Sequence, residues 1–306
     1  MSTISKPTAS DLALLALVAV IWGTSFVALK ISVLEIGALW SAALRVVIAF
    51  FVLLPFYVIK KQPFPNGARN LVFVALVSLL NIVIPFIMIS WALKHIDSGI
   101  AALLLGLSPF MAMLLGHFFT GDERITPLKV LAVCCAFGGI SLVVGEEAFF
   151  GLGTNSVVAQ AAVAASGACY VIAGLLMRKV ESKPLPFTLL AVGLAAVTLT
   201  VVSFIFVGLP ARIPSPNAWF ALLWLGVLST GLAYILRFYL VNRVGISTFS
   251  LSMNTVPIFG VIFGAILLNE VIETTTIVAL ALVVLGLMIS RAATPSSGKQ
   301  KAENQL

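Results

Sequence analysis

Few groups in this chain are both polar and placed where water is scarce, and these are the ones that could do chemistry. Arg45 and Arg237 each lie inside a long apolar run. Insertion of such a charge at depth costs roughly 2.5–3.5 kcal/mol, so each must face a wet cavity or borrow carbonyl oxygens. Pro109 and Pro257, 148 residues apart, also fall inside apolar runs. A proline there frees the carbonyl four residues earlier and bends or breaks its helix, which makes both positions candidate kinks or gates. Asn81, Ser108, Ser229, Ser250 and Asn254 are polar islands in the same kind of sequence. Each needs a partner, a neighbouring helix or a ligand.

Helical spacing puts Arg237 on one face with Thr230, Tyr234, Phe238 and Val241. A guanidinium beside aromatic rings suits a molecule with a carboxylate and an apolar body, because guanidinium binds carboxylate in a bidentate manner. Arg237 is also close enough to the end of its run to reach the aqueous boundary instead. Trp22, Trp91, Tyr170, Tyr234 and Tyr239 offer rings for stacking, whereas Trp40, Trp219 and Trp91 sit near run ends, where aromatic belts form.

The elements that must position these groups follow from composition. The chain is 61% hydrophobic and 9% charged, with a mean hydropathy of +1.16, against about 45–50% and about 25% in soluble domains. It is an all-α integral membrane protein: the apolar runs are long and continuous, unlike the short alternating strands of a membrane barrel. Ten runs are expected to span, at 11–29, 38–59, 70–93, 97–119, 126–144, 156–177, 186–208, 217–241, 246–268 and 274–291. The net charge of +7 reflects 18 scattered Lys and Arg with no basic face, so nucleic acid is not an expected partner. Instead, the basic residues sort by side. Thirteen fall on the side of the amino terminus (Lys6, Lys60, Lys61, Arg69, Arg124, Lys129, Arg178, Lys179, Lys183, Arg243, Arg291, Lys299 and Lys301), and Lys30, Lys94 and Arg212 fall on the other. Thirteen against three predicts that both termini are cytoplasmic. Cys134, Cys135 and Cys169 lie in apolar runs without metal spacing and read as reduced packing residues.

Sliding the chain by 148 residues superimposes the first five runs on the last five. Pro109 meets Pro257, Gly116 meets Gly264, Gly138 meets Gly286, and Asp122 meets Glu270, while Trp22 meets Tyr170. Leu and Ile coincidences carry little weight in so apolar a chain; the proline, glycine and acidic matches carry it. Five is odd, so the second half must lie inverted relative to the first. That is the plan of secondary transporters, in which two inverted packings exchange roles around a central site.

The segments Trp22-Gly23-Thr24-Ser25-Phe26-Val27 with Lys30, and Leu44-Arg45-Val46-Val47-Ile48-Ala49, open the first half. Pro109 precedes Gly121-Asp122-Glu123, and Pro257 precedes Asn269-Glu270. In this order the chain resembles the EamA family of the drug/metabolite transporter superfamily, above all its ten-helix exporters of amino acids, the aromatic amino-acid exporters among them. The resemblance implies two inverted five-helix repeats, at 11–145 and 156–291, between cytoplasmic tails at 1–10 and 292–306. It implies that the third, fourth, eighth and ninth helices line a central cavity, with Trp22, Asn81, Ser108, Tyr170, Tyr234, Arg237, Phe238 and Asn254 as candidate substrate contacts. Arg45 reads there as a packing or carbonyl-binding residue; its equivalent, position 193, is Gly.

All eleven acids, Asp97 and Glu270 among them, fall at run ends, in loops or in tails. A proton-driven carrier wants a buried titratable group, so the expectation is facilitated export or coupling through an end-of-helix acid. No cluster of bases at depth suits a phosphorylated or nucleotide-sugar substrate, which stays the alternative beside a non-transporting scaffold or enzyme. His95 and His117 lie near the ends of different runs, and no hydrolase or metalloprotease motif is present. No catalysis, metal or cofactor is expected. The expected reading is a multi-pass exporter of the inner membrane whose partners are a small-molecule substrate and the lipid bilayer; monomer and homodimer are both compatible with it.

Overall fold

A computed structural model describes residues 7–119, 125–145, 155–210 and 213–292, and among them every regular element is helical. Gly121-Asp122-Glu123 and most of both tails lie outside the described residues. Helix α1 (Ala9–Ile36) starts at a capping box in which the Thr8 N–H donates to the Asp11 carboxylate at 2.9 Å and Thr8 Oγ1 accepts from the Asp11 N–H at 3.3 Å. Buried Asp11 also takes Arg243 Nε–H at 2.6 Å, fastening the start of α1 to the eighth helix. One residue, Gly37, separates α1 from α2 (Ala38–Lys60); its φ of 82° and ψ of 167° suit only glycine.

The following helices are α3 (Ala68–Ala92), α4a (Ser98–Leu105) and α4b (Ser108–Phe119), α5 (Pro127–Val144), α6 (Asn155–Met177), α7 (Pro184–Val207), α8 (Pro216–Val244), α9a (Ile246–Met253) and α9b (Val256–Leu268), and α10 (Thr274–Ala292). Eight helices are long and apolar enough to cross a membrane; the shorter apolar ones are α9b and, within α10, Thr274–Ser290. The count of ten expected from the sequence is therefore not met by length alone. The first run is longer than expected, because α1 continues to Ile36 and takes Lys30 into the helix instead of leaving it beyond the end. Side chains such as Ile59, Phe206 and Val271, each between 77% and 80% exposed, leave an apolar exterior that suits hydrocarbon.

The 148-residue offset reappears in the packing. Helices it relates lie against each other: α2 on α7, α4 on α9 and α5 on α10. Other contacts come in exchanged pairs, α1 with α8 beside α6 with α3, and α1 with α9 beside α6 with α4. Irregularities are repeated too. A π-helical turn at Leu79–Val83 in α3 corresponds to one at Trp224–Leu232 in α8. The interruption at Gly106 and Leu107 in α4 matches that at Asn254 and Thr255 in α9. Pro109 and Pro257 do not kink continuous helices; each is the second residue of a new helical half, where a missing N–H leaves no hydrogen bond unmade. Ser108 Oγ donates to the Leu105 carbonyl at 2.7 Å, and Thr255 Oγ1 to that of Ser252 at 2.6 Å, which satisfies acceptors exposed by the breaks.

Candidate functional site

Two charged constellations stand out, both built from the α1–α2 hairpin. On α1, Lys30 Nζ donates to Asp97 Oδ1 at 2.6 Å and to Glu270 Oε1 at 2.9 Å. Asp97 is the N-cap of α4a, and Glu270 lies in the segment between α9b and α10. Asn269 ends α9b in the left-handed conformation, at φ 54°, and so turns Glu270 back toward the bundle. There the Glu270 carboxylate meets the amino end of α4a, accepting the Ser98 N–H and Ser98 Oγ–H, each at 2.8 Å, and the Gly99 N–H at 3.2 Å. A helix amino terminus presents unpaired N–H groups and a positive dipole end, and suits an anion. Burial pushes the Glu270 carboxyl up, but the Ser98 N–H, the Lys30 ammonium and the other donors outweigh it and hold it below its ordinary range. Gly264 makes room for this arrangement: a Cβ on it would meet the Glu270 carboxylate and crowd Ser98 Oγ, so one or both would have to shift.

On α2, Arg45 points at the π turn of α8. Its Nε–H donates to Thr230 Oγ1 at 2.8 Å and Nη2 to Ser229 Oγ at 3.2 Å, and the guanidinium lies 4.2 Å from the centre of the Phe86 ring on α3. Tyr170 of α6 and Tyr234 of α8 are within electrostatic reach of the same charge. Asn81, in the π turn of α3, donates to the Tyr234 hydroxyl at 3.5 Å, the outer limit for such a bond. Trp22 Nε1–H on α1 donates to the Ser229 carbonyl at 3.0 Å, so both the carbonyl and the hydroxyl of Ser229 are engaged. Tyr170 packs against both of the larger core clusters and marks their seam.

Of the residues singled out from sequence, Trp22, Asn81, Tyr170 and Tyr234 thus come together. Ser108 does not join them; its hydroxyl serves the break in α4 and lies close to Gly167 of α6. Arg237 forms no ion pair or hydrogen bond with any described residue, and the Phe238 carbonyl accepts from Asn242 Nδ2 at 2.8 Å. Asn254 sits at the break in α9 without a hydrogen-bond partner among the described residues. Arg45, read from sequence as a packing or carbonyl-binding residue, bonds hydroxyls and lies at the centre of the cluster. Phe86, Ser229 and Thr230 complete its surroundings. Among the described residues no group of three His, Cys, Asp or Glu side chains could hold a metal.

Several known proteins are similar. The uncharacterised transporter YoaV of Bacillus subtilis is 24% identical over 89% of this chain and 94% of its own. A transporter of Archaeoglobus fulgidus is 26% identical over 90% of this chain and 96% of its own. A Streptantibioticus cattleyicolor protein described as "Probable terminal-alkyne amino-acid exporter" is 24% identical over 90% of this chain and 91% of its own. A solved crystal structure, 18% identical, superposes with a TM-score of 0.66 over 94% of this chain and 100% of its own, which shows a shared fold. The pattern of one family fits twice in succession, over residues 10–145 and 158–292, so that nearly every helix described above falls inside a match. With repeated breaks, repeated π turns and a doubled family match along one membrane-embedded chain, this protein belongs to the EamA-like transporter family.

Proposed function

We propose that the protein is an alternating-access exporter of small amphipathic metabolites, amino acids first, embedded in the inner membrane with both termini in the cytoplasm. In this reading ten helices cross the membrane as two inverted five-helix repeats, bounded at 11–145 and 156–291. The observation that carries it is the polar cluster around Arg45, gathered where helices of both repeats meet and beside two π turns that the 148-residue offset relates. Helices interrupted at equivalent places in two repeats are a mark of central transport sites, and π turns recur at functional positions. Trp22, Asn81, Tyr170 and Tyr234 line the path, while the breaks before Pro109 and Pro257 let the half-helices tilt separately. Lys30, Asp97 and Glu270 close the external end. Support for amino acids comes from the relative named as an amino-acid exporter and from an aromatic surround that suits an apolar side chain. Arg237, Phe238, Ser108 and Asn254 belong to the route toward the cytoplasm in this reading.

Counterflow of radiolabelled phenylalanine, tryptophan and leucine into proteoliposomes is the test. Exchange is expected with and without a pH gradient, because the carboxylates here are paired or at helix ends and none must change charge during the cycle. Absence of exchange for every amino acid would overturn the substrate reading. Thiol labelling of single cysteines at positions 64 and 300 from outside the cell would overturn the orientation.

A further inference from the structure

Arg45 brings a full positive charge into the bundle, and no carboxylate among the described residues neutralises it. Resting on the transport function proposed above, we infer that this guanidinium is the anchor for the carboxylate of the transported molecule, whose class is a compound with a single carboxylate on an aromatic or otherwise apolar body. Acids whose partners are described are committed elsewhere: Asp11 to Arg243, Asp97 and Glu270 to Lys30, and Glu35 to the Ser215 N–H. No described carboxylate reaches Arg45. Its two partners are neutral hydroxyls, which satisfy N–H groups but cancel no charge. A guanidinium has five N–H donors, so three remain for a ligand.

The surroundings select how that ligand is held. Arg45 Cζ lies 4.2 Å over the centre of the Phe86 ring, and the N–H groups that no hydroxyl takes suit the in-plane, two-oxygen contact that carboxylates make with arginine. Ser229 Oγ and Thr230 Oγ1 accept from Nη2 and Nε, which leaves both Nη1 protons and the second Nη2 proton for the carboxylate. Tyr170 and Tyr234 lie within electrostatic reach of the same charge. The position equivalent to Arg45 in the second repeat is Gly193, where a Cβ would crowd the Phe50 ring. Among the described residues the site therefore has one cation and matches one carboxylate, not the two negative charges of a phosphate monoester.

The test uses a pair of probes differing only at the headgroup, 3-phenylpropanoate and 3-phenylpropanamide, with the full-length protein in nanodiscs and tryptophan fluorescence as the binding signal. The acid is expected to bind at least about tenfold more tightly than the amide to the unaltered protein. Arg45→Gln should abolish that preference without weakening the amide, and Arg45→Lys should keep a reduced preference. Equal binding of acid and amide, or a preference that survives in Arg45→Gln, would overturn the anchor. Should Arg45→Gln fail to fold, the probe pair on the unaltered protein and on Arg45→Lys still decides. If neither probe binds while amino-acid counterflow persists, the anchor falls and the transport reading stands; if counterflow is absent too, both fall.

Discussion

Lys30 and Arg45 stand seven and eight residues either side of Gly37, so each cation lies roughly 10–12 Å along its arm of the hairpin. Their surroundings differ completely. Lys30 has two carboxylates within 2.9 Å, one of them backed by three donors from the start of α4a. Arg45 has two hydroxyls and an aromatic ring. A cation with its counter-charges built in ties three elements into one closed arrangement. A cation without them is stable only while hydroxyls, ring and water share its charge, and a visiting anion relieves it. In the proposed function, charge serves closure on one arm and recognition on the other.

The contrast breaks first at Arg45. Arg45→Ala is expected to lower amino-acid exchange in proteoliposomes by about 10- to 150-fold, the range set by losing a charge-assisted hydrogen bond, while leaving assembly in the membrane intact. Next comes the paired cluster. Glu270→Gln should destabilise the detergent-solubilised protein by an amount near the lower end of the roughly 3–5 kcal/mol seen when one partner of a buried pair is removed, since the side chains of Lys30 and Asp97 are 16% and 47% exposed. Thermal unfolding monitored by tryptophan fluorescence reads this, and Gly264→Ala should mimic it by pushing the carboxylate away. If Glu270→Gln were neutral and Arg45→Ala destabilising, the assignment of closure and recognition would be reversed.

The pH dependence sharpens the comparison further. Glu270 is held below the ordinary carboxyl range in the folded state, so its contribution is fully present above the unfolded value of about 4.3 and is lost as pH falls through the lower folded value. The stability difference between the unaltered protein and Glu270→Gln should accordingly be constant from about pH 5.5 to 8 and shrink only in more acidic buffer. The smallest effect is expected at the far side of the Arg45 cluster. The Asn81 to Tyr234 bond is 3.5 Å long, so Tyr234→Phe should change exchange by less than about threefold, given that a neutral hydrogen bond contributes only about 0.5–1.5 kcal/mol even when well formed.

Much of this architecture is legible in the sequence, for physical reasons that also mark where legibility ends. Apolar runs announce helices because lipid tolerates no unpaired backbone, and all ten runs fall on helices. Prolines at matching positions announce breaks, though not that each would begin a half-helix. The π turns have no such signature, and they mislead: a face drawn at α-helical spacing through Thr230, Tyr234 and Arg237 crosses the π turn of α8, where hydrogen bonds run i to i+5. Thr230 accordingly serves Arg45 and not Arg237. Lys30 and Glu270, 240 residues apart, meet only through tertiary packing. One signal for Arg45 was present in the chain, an arginine in one repeat and a glycine at its equivalent, since a charge kept on one side of a duplication has a task the other side lacks.

The Gly37 bend has a mechanical side. Ser32 Oγ donates to Ser41 Oγ at 2.7 Å, with both residues fully buried, clasping the two arms within five residues of the turn. A bend of one residue, cross-tied so close to its vertex, leaves the arms little freedom to scissor, and the pair behaves as a tuning fork with a cation on each tine. In the proposed cycle a carboxylate seated at Arg45 would load one tine, and the other would carry that load to Lys30. The hairpin thereby links the carboxylate site to the Lys30 closure, and lengthening it with extra glycines at position 37 is expected to uncouple the two while leaving each intact.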